Sequence, residues 1–298
     1  TLPSLNLVLE PTDNFLVRFG AAKVMSRPDL GNLTPGATVS VSGSTRTVSV
    51  GNPNLDPFRA NAYDLSLEWY FQPGSLLGVA VFRKDVDSFV QTVSESRTFT
   101  GNSYGLPDSV ATAACGTTTS CGASSLWTFS RPVNTDGGAL TGVEVNYQQA
   151  FKFLPGLLAN TGVLLNYTYV KSEMDYVNSA GTVVATADLT GLSRNAYNAT
   201  LYYEDAKWSA RASIAYRDRY LTKVPGAETA SGTAYDGTNS TFNVDASLQY
   251  TVNQNFKLTL EGVNLTDEYQ YQFNGEENMT TTYHHTGREI LFGVRYTF

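Results

Sequence analysis

This chain of 298 residues is short of charge, and that shortage is the first constraint on its surface. Only 16% of its residues are Asp, Glu, Lys or Arg, against about a quarter in an ordinary soluble chain. A water-facing surface of normal make-up is therefore excluded. It has no excess of basic residues either: 20 Lys and Arg stand against 27 Asp and Glu, a net charge of −7. A nucleic-acid partner needs a basic stripe to neutralise phosphates, so that class is excluded as well. No run of about 18 apolar residues occurs, which leaves no transmembrane helix and no signal-peptide core at the start. Histidine is limited to His284 and His285, adjacent and so on opposite faces of an extended chain. No His-x-x-His spacing, phosphate-cradling glycine loop or nucleophile elbow is present. The residues offer no catalytic, metal or cofactor site, and the chain does not read as an enzyme.

What is abundant is aromatic residues and glycine, with 18 Tyr, 15 Phe and 25 Gly, arranged with a period of two. In the closing "REILFGVRYTF", Ile290, Phe292, Val294, Tyr296 and Phe298 fall on one face, opposite Glu289, Leu291, Gly293, Arg295 and Thr297. "TFNVDASLQY", "KWSARASIAYRDRY", "NAYNATLYYE" and "NAYDLSLEWYF" alternate in the same way. This is the pattern of strands whose two faces meet different solvents. The connectors alternate too. Tight ones at "PTDN", "QPGS", "FLPG", "EDAK" and "VNQN" separate long polar stretches at 26–59, 92–126, 178–189, 223–239 and 267–282. Short turns at one end and long loops at the other describe a transmembrane, antiparallel, up-and-down β-barrel of about eleven strands. Its apolar face meets outer-membrane lipid, and aromatics near the strand ends form girdles at the two interfaces.

The polar face then lines a lumen. Arg18, Asp64, Glu68, Glu144, Arg194, Arg211, Arg217, Arg219, Asp245, Lys257, Glu261 and Arg295 fall on it. Of these, Arg211, Arg217, Arg219, Asp245, Glu261 and Glu144 are the candidates for contact with a solute or with whatever fills the barrel. The long loops add Tyr104, Trp127, Tyr235 and Tyr271, with Tyr269 and Tyr283, whose ring faces would suit a sugar. Cys115 and Cys121 in "ACGTTTSCGAS" lie in a long Gly/Ser/Thr-rich loop, and a disulfide in an oxidising compartment is expected; a metal site would need more ligands.

Several segments together carry a family resemblance. "KVMSRPDLGNLTPG", "GNPNLDPFRANAYDLSLEWYF", "GALTGVEVNYQQAFKFLPG", "NYTYVKS" and "GVNLTDEYQYQ…TGREILFGVRYTF" occur in this order over nearly the whole chain. They resemble the C-terminal part of TonB-dependent outer-membrane receptors of Gram-negative bacteria. That resemblance implies the C-terminal half of a 22-stranded barrel, with 1–298 as one domain and the plug domain and earlier strands outside it. It further implies active, TonB-coupled import of a scarce small solute, an oligosaccharide or an iron chelate, with the carbohydrate branch the closer match. In that case the TonB complex acts through an N-terminal region outside this sequence. A passive porin or a surface-structural barrel is the competing account. The two differ in one structural respect: Leu5–Leu9 should not pair with Ile290–Tyr296 in a closed small barrel.

Overall fold

In the computed structural model, described for residues 1–118, 120–225, 235–275 and 277–298, eleven antiparallel strands make one continuous wall. They are β1 (Ser4–Thr12), β2 (Phe15–Ser26), β3 (Phe58–Gln72), β4 (Ser75–Thr98), β5 (Ala139–Ala150) and β6 (Thr161–Val177). Then come β7 (Asn195–Glu204), β8 (Trp208–Arg217), β9 (Thr241–Thr251), β10 (Phe256–Val263) and β11 (Glu289–Tyr296). Each pairs with the next in chain order, and β1 and β11 are the two ends of the sheet rather than partners. The wall is open, a partial barrel with the strand count that the alternation predicts. Of the expected 223–239 loop, residues 226–234 lie outside the described set.

Register fixes the two faces. One hydrogen-bonded row runs Leu7, Phe19, Leu65, Val81, Val143, Tyr169, and another runs Leu201, Ala212, Ala246, Gly262, Ile290. These rows stay open to their surroundings: Leu201 is 56% exposed and Phe292, in the next row, 71%. In water so large an apolar surface would be unstable; against lipid it is the expected lining. The opposite face carries rows such as Arg18, Ser66, Ala80, Glu144, Thr168, Ala196, Arg217.

Tyrosines mark where this band stops. At the long-loop end the hydroxyl of Tyr167 donates to Asn195 (2.7 Å) and that of Tyr216 to Asp218 (2.7 Å). At the short-turn end Tyr203 donates to Asp205 (2.5 Å). Along β7 the polar limits are thus Asn195 and Asp205, ten residues apart. At about 3.3 Å per residue and a lean near 40°, that spans a layer about 25 Å thick.

Beyond the band, the stretches expected to be plain loops contain structure. The hairpin Ala37–Ser42 with Thr45–Val50 lies parallel to the strand Leu126–Thr135, which pairs with the outer half of β4. With helix α1 (Asp108–Cys115) these segments enclose Val48, Phe99, Ala111, Cys115, Trp127 and Phe129 in a core of their own. Cys115 and Cys121 are bonded, as expected. The "GNPNLDP" segment ties this unit to the wall: Asn52 Nδ2 donates to Pro132 O (3.1 Å), and the Asp56 amide donates to Asn134 Oδ1 (2.8 Å). A second small sheet joins Tyr220–Lys223, Tyr235–Thr238, Gln270–Gly275 and Thr280–His284.

Candidate ligand site at the long-loop rim

The last wall strands deliver charge to one place. β8 ends at Arg217 and runs out into "RDRY", and its neighbours contribute the segments before β7 and β9. Together with the second small sheet they surround a cavity of about 1020 Å³, lined by Asp188, Arg194, Asp218, Arg219, Tyr220, Tyr235, Phe273 and Glu277. That volume is at the upper end for a small-molecule site, and its mixture of rings and ionic groups suits a solute that is both planar and polar.

Each charge in it is held. Arg194 grips Asp188 with two parallel bonds, Nε to Oδ2 at 2.8 Å and Nη2 to Oδ1 at 3.2 Å, and the carboxylate holds the guanidinium above its ordinary pKa. A planar guanidinium fork matched to a carboxylate is a strong and directional pair. Arg219 is paired with Glu277 at 2.5 Å, with both side chains about half exposed. Asp218 is a hub beneath them, accepting from Tyr216 and from the amide and side chain of Asn195. Partial burial works to raise its carboxyl, but the bonds from Tyr216 and Asn195, with Arg194 nearby, hold it below its ordinary value.

The six lumen candidates are not brought to a single point. Arg219 lines the cavity. Arg217 does not: Nε donates to Ser193 Oγ (2.7 Å) and Nη2 to Gly191 O (2.7 Å), and its guanidinium lies 4.0 Å from the centre of the Tyr220 ring. These bonds pin the 191–193 turn to β8. Asp245 is likewise occupied, taking the backbone amide of Asn264 at 2.8 Å. Asn264 stands at φ +54° and closes the "NLTDEY" turn: Oδ1 accepts from the Glu268 amide, and Nδ2 donates to Glu268 O and Gly287 O. Arg211 and Glu261 share a lumen row with Ser247 between them, lower in the wall. Glu144 lies on a separate part of the wall between Ala80 and Thr168.

The loop aromatics divide in the same way. Tyr235 lines the cavity. Tyr271 belongs to a ring cluster with Tyr269 and Tyr283, centroids 5.1 to 6.2 Å apart. Trp127 does not offer a free face, a correction to the expectation, and Tyr104 has one face covered. Trp127 is 1% exposed and donates Nε1–H to Gly122 O, and Tyr104 stacks on Phe129 at 5.4 Å. Trp127 is held inside the loop unit and Tyr104 packs half-buried against its core, where apolar rings reduce contact with water. The cavity residues missed by sequence reasoning are Asp188, Asp218, Tyr220, Phe273 and Glu277. "RDRY" held Asp218 and Tyr220 beside the two arginines; the other three come from segments whose approach only the fold reveals.

An open, two-faced antiparallel strand wall with an elaborated rim defines a part of a membrane-type β-barrel. The chain belongs to the TonB-dependent receptor family: the family's "TonB dependent receptor-like, beta-barrel" model matches residues 1–265. Among solved structures it is similar to a mutant (G324V) ferric enterobactin receptor, PfeA, of Pseudomonas aeruginosa. There the identity is 18% and the TM-score 0.65, over 100% of this chain and 40% of that one. It is also similar to the siderophore receptor PiuA of Acinetobacter baumannii, at 16% identity and TM-score 0.61 over 98% of this chain and 35% of that one. The ferric-catecholate import receptor Fiu of E. coli K12 aligns at 18% identity and TM-score 0.60, over 99% and 34%. This chain thus spans about two-fifths of those receptors or less, and at these identities the likeness is one of fold. No curated protein matches it.

Proposed function

We propose that this chain is the C-terminal half of the barrel wall of a Gram-negative outer-membrane receptor that imports an iron chelate. The observation that carries this is the rim cavity, roomy enough for a chelate and lined by Arg194, Arg219, Tyr220, Tyr235 and Phe273. Ferric chelates are bulky, often aromatic and often anionic. Rings supply flat contact, and the Asp188–Arg194 and Arg219–Glu277 pairs can exchange a carboxylate partner for a ligand oxygen. The structural neighbours named above are siderophore receptors, and the carbohydrate branch draws no support from them. Import of this kind requires a plug to close the lumen and energy from the TonB complex, a separate partner that would act through a region of the receptor outside this sequence.

The test uses the full-length receptor with ferric-catecholate, ferric-hydroxamate and maltodextrin probes, followed by fluorescence quenching. Binding of one ferric chelate, weakened at least tenfold by Arg219→Gln with Tyr235→Ala, is the expected result. Binding of maltodextrin and of neither chelate would overturn the chelate assignment. Uptake that persists in cells without TonB would return the passive porin.

A further inference from the structure

The last long loop carries a cluster of side chains that the rim cavity does not use. In its hairpin, Gln270–Gly275 with Thr280–His284, Tyr271 stands directly opposite Tyr283 and Gln270 opposite His284. One face of the hairpin, continued by a residue at each end, therefore holds Tyr269, Tyr271, Tyr283 and His285, with His284 on the other face. The ring contacts agree. Tyr269 lies 5.1 Å from Tyr283 between centres, and His285 lies 6.3 Å from Tyr269 and 6.1 Å from Tyr283. Nε2 of His285 is 3.0 Å from Oδ1 of Asp267.

Two features of this cluster concern a ligand rather than the fold. Tyr269 and Tyr283 are exposed, and neither hydroxyl makes a hydrogen bond among the described residues. Those of Tyr167, Tyr203 and Tyr216, by contrast, are each bonded to a side-chain carboxylate or amide. The second feature is the imidazole. An ionised carboxylate only accepts, so Asp267 takes the N–H at Nε2, and the lone pair of the neutral ring is left on Nδ1. A carboxylate holding one ring nitrogen while the other binds a metal is the usual partner of a ligating histidine. His284 and His285 make no metal site as a pair, because they face apart; the fold brings phenols from both strands to His285 instead.

We propose that Tyr269, Tyr283 and His285 bind a ferric ion directly, with Asp267 as the positioning residue. Water or the carboxylates of the carrier that delivers the ion fill the remaining coordination places. Phenolate is a hard, anionic oxygen donor, and tyrosine oxygen is a known ligand of protein-bound iron. Two such donors with one imidazole favour a hard trivalent ion over the divalent ions that imidazole alone attracts. The step is a ligand exchange with no change of oxidation state. Each phenol gives its proton to water, two Fe–O bonds and one Fe–N bond form, and three bonds from iron to the carrier or to water break. Phe273 lies two residues beyond Tyr271 on the same strand and lines the rim cavity, so the ion is placed beside that cavity and outside it. The inference does not depend on the chelate reading.

The experiment titrates the full-length, iron-free receptor with ferric nitrilotriacetate and reads the visible charge-transfer absorption that iron gains from phenolate. The unmodified receptor should develop this band and lose it to gallium(III), an ion of the same charge. Tyr269→Phe with Tyr283→Phe should abolish the band. His285→Gln and Asp267→Asn should each keep it with the affinity for iron lowered about tenfold or more, and Tyr235→Phe, in the rim cavity, should leave it unchanged. Absence of the band in the unmodified receptor, or its persistence in the double phenylalanine variant, overturns the proposal. Zinc held through His284 and His285, with no phenolate band on adding iron, also overturns it and reassigns the cluster to imidazole alone. Phenylalanine keeps the ring contacts, so the double variant should melt with the unmodified protein and still bind a ferric chelate. Loss of chelate binding with the band intact defeats the import reading and leaves this inference standing; chelate binding without a band defeats only this inference.

Discussion

The wall and the loop unit above β4 treat apolar residues in opposite ways. On the wall Leu201, Leu248 and Phe292 are exposed, at 56%, 39% and 71%. In the loop unit Val48, Phe99, Trp127 and Phe129 are sealed at 1% or less. On the outer-membrane reading, one sequence thus answers to two solvents. Where lipid is the surroundings, the strands need no second layer, because the bilayer is itself the apolar phase. Where water begins, the same chain must gather residues from three distant segments into a core and close it with helix α1 and a disulfide.

The contrast breaks most sharply at Trp127. Trp127→Ala should cost the loop unit about 3–5 kcal/mol, read as faster proteolysis and hydrogen exchange over 99–135. Leu201→Ala on the wall should change the stability of the lipid-inserted protein by much less. Equal losses would mean the wall also depends on an internal core. Next in size is Leu201→Arg, near the middle of the band, at about 2–4 kcal/mol by folding into vesicles. Thr200→Arg, one residue away on the inner face, should be far milder. Comparable penalties would undo the face assignment.

A smaller effect belongs to the Cys115–Cys121 bond. Closing so short a loop is worth about 2–3 kcal/mol by loop entropy. Reduction should therefore loosen the loop unit, seen by hydrogen exchange around α1, without shifting the melting of the wall. The smallest effect is electrostatic. The Asp218 carboxyl is depressed in the folded chain, so its contribution is complete above its unfolded value, about 3.9. That contribution disappears as pH falls through the lower folded value. Acidification below pH 4 should release the rim bonds of Tyr216 and Asn195 in the unmodified protein, and Asp218→Asn should remove that pH step. A rim equally stable from pH 6 to 3 would count against the hub.

Period-two alternation was enough to read the eleven strands, their faces and the alternation of short and long connectors, because each strand's register is local and binary. The same signal mistook length: β4 runs for 24 residues to Thr98 and β6 for 17 to Val177, well past the band. Their outer halves pair with loop strands, and no sequence period announces such a partner. Trp127 looked free for the same reason, since Phe99 and Val48 lie far away in sequence, as Phe129 does from Tyr104. Arg217 and Arg219 differ by a single alternation step, yet one is locked to Ser193 and Tyr220 and the other faces the cavity. Only the path of the neighbouring turn decides between them.

Asn264 has a consequence for how such a molecule can change over time. By binding both Glu268 O and Gly287 O it draws the two ends of the last long loop together, while Asp245 fastens its own amide to the wall. The loop leaves and returns through one knot, like a lariat. Whatever lies inside the knot, including Tyr269, Tyr271, Phe273, Glu277 and Tyr283, can be lengthened, shortened or rewritten without moving the register of β10 against β11. The rim is in this way insulated from the wall, so that on the proposed function a change of solute leaves the barrel the same.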